Sequence, residues 1–180
     1  MTEPHVLRLI AEFIAKEVAR FLRANKLSET VVGEHDGDLV RVFDLEAEEY
    51  AINLVRKFLP RSIIVSEERG TVKLSNNPEY IVLLDPVDGS NNFAAGVPWC
   101  ATSIAIAPIS GYTLNNIAAS AVASIYSDDV FSYSTTEGVL HNGKPLRRQT
   151  KPGSLIVVYA DRLEEFAIAY AYYELFPEVK

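Results

Sequence analysis

The stretch Asp85-Pro86-Val87-Asp88-Gly89-Ser90-Asn91-Asn92-Phe93 constrains this 180-residue chain more than any other. It follows the unbroken apolar run Tyr80-Ile81-Val82-Leu83-Leu84, which reads as a buried strand. Two acids are thus delivered to the C-terminal end of a strand. Pro86 fixes the backbone between them, and Gly89 allows a sharp turn whose N–H no side chain shields. Both carboxylates and the Val87 carbonyl can face one point, an all-oxygen donor set of the kind that hard divalent cations such as Mg²⁺ take. The N–H groups of Gly89, Ser90 and Asn91 are donors for a phosphate if a helix or turn begins there. Surface turns account for Asp-Pro or Asp-Gly taken singly; both together, directly after an apolar strand, favour a site. An EF-hand loop fits poorly, because its third position needs an oxygen ligand and Val87 stands there.

Around this stretch, helices come first and strands follow. Leu7, Ile10, Ile14, Val18, Phe21 and Leu22 recur at three- and four-residue steps between Pro4 and Asn25, which predicts an amphipathic helix. Charges at Arg8, Glu12, Lys16, Glu17, Arg20 and Arg23 interrupt it too often for a signal peptide or a membrane span. A second helix is expected over Leu45–Leu59, with Asp44 as N-cap and Pro60 closing it. Strands are expected at Ile63–Ser66, Tyr80–Leu84, Ala101–Ala107, Ile117–Tyr126, Val130–Ser134 and Leu155–Tyr159, and a hairpin at Asn142-Gly143. A last helix is expected from Asp161. This order predicts an α+β fold rather than regular βαβ alternation. Lys151-Pro152-Gly153 suggests a boundary that separates residues 1–150 from 151–180.

A second acidic pair, Glu67-Glu68, ends the apolar run Ile63-Ile64-Val65. Alone it serves equally well as a solvated strand end, and Asp44 alone reads as an N-cap. Lysine and arginine number 17 against 24 acids, a formal charge of −7, which argues against a nucleic-acid or anionic-membrane binder that works by charge. The lone Cys100 and the scattered His5, His35 and His141 form no zinc pattern, and a reducing compartment, the cytoplasm, is the expectation.

Asp85 to Phe93 matches D-P-[ILV]-D-G-[ST]-x-N-F at every position. In this the sequence resembles the inositol monophosphatase and fructose-1,6-bisphosphatase superfamily of Mg²⁺-dependent, lithium-sensitive sugar phosphatases. Asp44, Glu67-Glu68, Gly96-Val97-Pro98-Trp99 and the Asn142-Gly143 hairpin resemble further family features in order and spacing, and the archaeal-type branch is the nearest in pattern. The resemblance implies a layered αβαβα sandwich whose second domain is incomplete here, because the W-D-x-A-A-G-like motif that supplies a last aspartate ligand does not follow. It implies two or three Mg²⁺ ions. Glu67, Asp85 and the Val87 carbonyl would hold the first, and Asp85 and Asp88 the second. Asp44 and Ser90 would position the attacking water, with Glu67 the third catalytic residue, and Asp88 with the N–H groups of Gly89 and Ser90 would form the phosphate site. Gly33 departs from the family where many relatives place a lysine. The implied substrate is a small phosphorylated sugar or inositol, inositol 1-phosphate or fructose 1,6-bisphosphate, with no nucleic acid or membrane partner and with a homodimer as the assembly. Two alternatives stand beside it: a catalytically silent phosphate-binding or assembly module, and a nucleotide-directed phosphatase acting on 3'-phosphoadenosine phosphate or NADP.

Overall fold

Proline at the first turn has a preset φ and no N–H to leave unpaired, so Pro4 can open a helix. Helix α1 runs from it over Pro4–Ala24 and ends at Asn25, whose side chain donates to the Phe21 carbonyl at 2.7 Å. Its apolar stripe, Leu7, Ala11, Ile14, Ala15, Val18, Ala19 and Leu22, is buried. This structure is a computed structural model that describes residues 2–25, 27–35, 38–111, 113–146, 167 and 170. The chain divides into two units, Met1–Leu146 and Arg147–Lys180. In the second, only the helical, exposed Ala167 and Tyr170 are described. The expected boundary at 150/151, the strand over Leu155–Tyr159 and the start of a helix at Asp161 lie outside the described residues.

The first unit is α+β, as expected. Strands β1 (Val31–His35) and β2 (Asp38–Arg41) form a separate antiparallel ribbon, and helix α2 (Val42–Phe58) follows at once. Eight strands then build one sheet: β3 (Ser62–Ser66), β4 (Gly70–Lys73), β5 (Tyr80–Asp88), β6 (Ala101–Pro108), β7 (Ala119–Ser124), β8 (Val130–Ser134), β9 (Gly138–His141) and β10 (Lys144–Pro145). A five-residue helix α3 (Ser90–Ala94) separates β5 from β6. The spatial order is β10-β9-β8-β7-β6-β5-β3-β4, antiparallel throughout except where β3 and β5 run parallel. The β9–β10 turn has φ of 49° at Asn142 and 74° at Gly143, the left-handed pair that a two-residue hairpin loop requires.

Inward residues of the sheet, among them Ile64, Val82, Leu84, Ile104, Ile106 and Ala121, share one core with the buried faces of α1 and α2. The alternate residues Val65, Leu83, Val122, Phe131 and Val139 stay largely exposed, so the sheet shows an apolar second face. Inside the core edge, Arg8 is buried and tied to both Glu12 (Nη1 to Oε1, 2.8 Å) and Glu137 (Nε to Oε2, 2.6 Å), while Ser132 donates to Glu12. This network fastens α1 to β8 and to the turn before β9. Among the described residues no helix is long and apolar enough to cross a membrane.

Three expected elements differ in detail, the first being β5, which runs on through Asp88 where the strand was expected to end at Leu84. The strand expected over Ile117–Tyr126 is shorter, Ala119–Ser124, and Leu114–Asn116 before it form a 3₁₀ turn. Helix α2 starts at Val42 rather than Leu45, which shifts the position of Asp44 within it.

Candidate metal and phosphate site

Parallel pairing of β3 and β5 assembles the acids. Its register, Ser62 opposite Tyr80 through Ser66 opposite Leu84, carries the chain so that Glu67, the next residue, falls beside Asp85. The two carboxyl groups are close enough for Glu67 to push the Asp85 carboxyl up. Asp85 is further fixed by the Val87 N–H, which donates to its Oδ1 at 3.1 Å. Between Asp85 and Asp88 the pairing of β5 with β6 shifts register, the mark of a bulge, and bulges re-aim side chains. The Pro86 carbonyl in this bulge accepts a buried hydrogen bond from the Thr102 hydroxyl at 2.8 Å. Asp88 emerges exposed beyond it, and the Val87 side chain is buried, which leaves the backbone of Val87 as its polar contribution.

Asp44 arrives from α2 and corrects the expectation of an N-cap. Arg41 occupies the cap, and Asp44 sits at the third helical position, where its Oδ2 accepts the Arg41 N–H at 2.8 Å. Such a carboxylate reaching back to the cap satisfies one of the donors a helix start leaves open. The helix begins three residues early because β2 runs directly into it without a loop. Asp44 is 4% exposed, and burial pushes its carboxyl up to about 6 despite the opposing Arg41 N–H and guanidinium, with Glu67 adding repulsion.

Gly89 makes the turn that follows. Its φ of 84° lies in the left-handed region, and a Cβ there would stand 2.8 Å from the Trp99 carbonyl and 3.3 Å from Cys100 Cβ. Glycine is therefore required twice over, by conformation and by close approach. Ser90 then opens α3, whose first N–H groups have no intrahelical acceptors. Phe93 on α3 meets the fully buried Phe43 of α2 edge to face, centroids 4.9 Å apart, and Asn92 donates to the Trp99 carbonyl at 2.9 Å. The Arg41 guanidinium reaches Asn91 Oδ1 at 2.8 Å, so the start of α2 and the turn are joined directly.

Asp44, Glu67, Asp85 and Asp88 therefore interact within one cluster. Burial first, then Glu67 and Asp88, push the Asp85 carboxyl up to about 8. Burial and like charges both favour the neutral form of a carboxyl, and a cation between the acids would remove the second of these penalties. The oxygen-only donors suit a hard divalent cation, and the repulsion that Glu67 and Asp88 exert on Asp85 marks where positive charge is wanted. Among the described residues, no three or more His, Cys, Asp or Glu side chains are placed so that they could together hold a metal ion. Asn92, part of the motif, supports this site, and so do Arg41, Thr102, Glu48 and Arg69, which escaped the sequence reading. Thr102 is hidden in an apolar strand run, and the others carry no motif; their roles are contacts across the fold.

The profile of the inositol monophosphatase family matches residues 5–171. An inositol-1-monophosphatase of Aeropyrum pernix is 33% identical over 162 residues, 89% of this chain and 59% of that protein. A fructose-1,6-bisphosphatase/inositol-1-monophosphatase of Thermococcus kodakarensis is 28% identical over 149 residues, 79% of this chain and 53% of the relative. This chain thus spans a little over half the length of these relatives. The extragenic suppressor protein suhB of Bartonella henselae superposes with a TM-score of 0.67 at 24% identity, over 79% of this chain and 53% of that one, which shows a shared fold. With its cluster of acids, its glycine turn and a profile match along most of its length, the chain belongs to the inositol monophosphatase family.

Proposed function

We propose that the chain carries the metal- and phosphate-binding part of a Mg²⁺-dependent phosphomonoesterase acting on a small sugar or inositol phosphate, inositol 1-phosphate or fructose 1,6-bisphosphate. The observation that carries the reading is the Glu67–Asp85 contact at the ends of two parallel strands, with Asp44 and Asp88 close enough to perturb it. The names of the Aeropyrum and Thermococcus relatives support the substrate class.

Glu67, Asp85, Asp88 and the Val87 carbonyl are the groups that would hold Mg²⁺. When bound, Mg²⁺ supplies charge neutralisation for the phosphate, acidification of water and stabilisation of the departing oxygen. The protein's own groups do the rest. N–H donors of Gly89 and Ser90 bind and orient the phosphoryl oxygens. Asp44, held at its helix position by the Arg41 N–H, and the Ser90 hydroxyl orient the attacking water for in-line approach. Ser90 is not a nucleophile in this reading, so no phosphoenzyme forms. Four carboxylates facing a phosphate dianion repel it strongly, so phosphate release without a divalent cation is not expected.

One observation favours the alternative, a phosphate-binding module without catalysis: among the described residues, no three His, Cys, Asp or Glu side chains are placed to hold a metal ion together. Phosphate release from both substrates, with and without Mg²⁺ and beside Asp85→Asn, separates the two. Mg²⁺-dependent release above the variant is expected. Equal release by wild type and variant overturns the catalytic reading for this chain.

A further inference from the structure

Glu48 lies on α2 one turn after Asp44 and is completely buried, 0% exposed. Its carboxylate is directed at the turn that links β3 to β4. Oε1 accepts the Arg69 backbone N–H at 3.0 Å. Oε2 stands 3.0 Å from Arg69 Nε as an ion pair without hydrogen-bond alignment, and Arg69 Nη1 continues to Glu49 Oε2 at 2.6 Å. A carboxylate taken wholly out of water is costly unless it is paired and hydrogen-bonded. Here both partners come from one residue, which follows Glu67 and Glu68 in a three-residue turn. The turn itself is largely exposed and leads into β4, an edge strand of four residues, Gly70–Lys73. Its attachment to α2 therefore bears directly on where Glu67 stands.

We propose that Glu48 is a positioning residue for the acidic cluster: by holding the backbone at Arg69 against α2, it fixes the Glu67 carboxylate relative to Asp44 and Asp85 so that the three close on a divalent cation. The inference rests on the metal-centre reading above. One helix then carries both a member of the cluster, Asp44, and the latch for another, Glu67, which makes their separation a property of α2 and not of the turn. Groups that orient a metal ligand without touching the metal change affinity by about 10- to 100-fold when removed.

The test is Mn²⁺ titration of the 180-residue chain by isothermal calorimetry, with hydrogen exchange at the Arg69 amide as a second readout. Glu48→Ala is expected to weaken Mn²⁺ by about 10- to 100-fold and to deprotect that amide. Glu48→Gln, whose amide oxygen still accepts the Arg69 N–H, is expected to stay within about threefold of wild type, a rescue that general loss of stability would not produce. Arg69→Ala keeps the backbone N–H but leaves the buried Glu48 charge without its cation, a cost that Glu48→Gln avoids by removing the charge too. The side chain it alters is half-exposed, so it reports even if Glu48→Ala does not fold, and several-fold weaker binding is expected. Glu46→Ala, on the exposed face of the same helix, should bind as wild type does. Wild-type affinity in Glu48→Ala and Arg69→Ala overturns the latch alone. No Mn²⁺ binding by the wild type overturns the metal-centre reading and the latch with it.

Discussion

Asp85→Asn should make the cation-free protein more stable while removing its chemistry. The Asp85 carboxyl rises from the ordinary 3.8 to about 8 in the fold, through burial first and the charges of Glu67 and Asp88 next. Between those two values the folded state keeps a proton that the unfolded chain releases, so the folded state binds more protons and stability falls as pH rises across the window. Below it both states are protonated and nothing is lost. At pH 7 the accumulated cost has a ceiling on the order of 4 kcal/mol, at about 1.4 kcal/mol per unit. Water reaches this partly open site, so on the order of 2 kcal/mol is the working figure. Asparagine keeps an Oδ1 for the Val87 N–H and has no charge to suppress. Thermal unfolding in EDTA should therefore place the variant about 4–8 °C above wild type at pH 7 and equal to it near pH 4. Millimolar Mg²⁺ should reverse the order, since only the wild type gains from binding. A variant no more stable than wild type in EDTA at pH 7, or a gap that does not close toward pH 4, would refute the reasoning.

Two further changes probe the scaffold. Gly89→Ala places a Cβ 2.8 Å from the Trp99 carbonyl at a φ of 84°. A loss of about 2 kcal/mol or more is expected in urea unfolding, along with weakened phosphate binding. Arg8→Ala leaves the buried Glu12 without its cation and frees Glu137; about 3 kcal/mol of destabilisation is expected by denaturant titration, and Arg8→Ala with Glu12→Gln should recover part of it.

The long amphipathic α1, the buried run that becomes β5, the apolar runs of β6 and β8 and the Asn142-Gly143 hairpin were legible because each carries its signal within a few consecutive residues. The β1–β2 ribbon was not, since Gly33 and the charges at Glu34, His35, Asp36 and Asp38 mask its alternation. Strand β4 is short and mostly exposed, and α3, at five residues, is too short to show a helical period. Asp44 read as a cap because Asp before an apolar-periodic run usually is one; the residue that settles its position is Arg41, whose N–H it accepts.

Taken by itself, the sequence determined the chemistry on offer: oxygen donors without soft ligands, two acids at the end of one buried strand, and a glycine where the backbone must reverse. Those follow from residue type and local order. Which acids meet was decided only by the tertiary structure. Glu67 joins Asp85 because β3 and β5 pair in parallel, which places their C-terminal ends at the same edge of the sheet; antiparallel pairing would have set them at opposite edges. Asp44 joins because α2 packs across those strands, and its neighbour one turn on, Glu48, ties down the turn behind Glu67. Strand partners and helix docking are set by burial of faces that many sequences would satisfy, so no local pattern announces them.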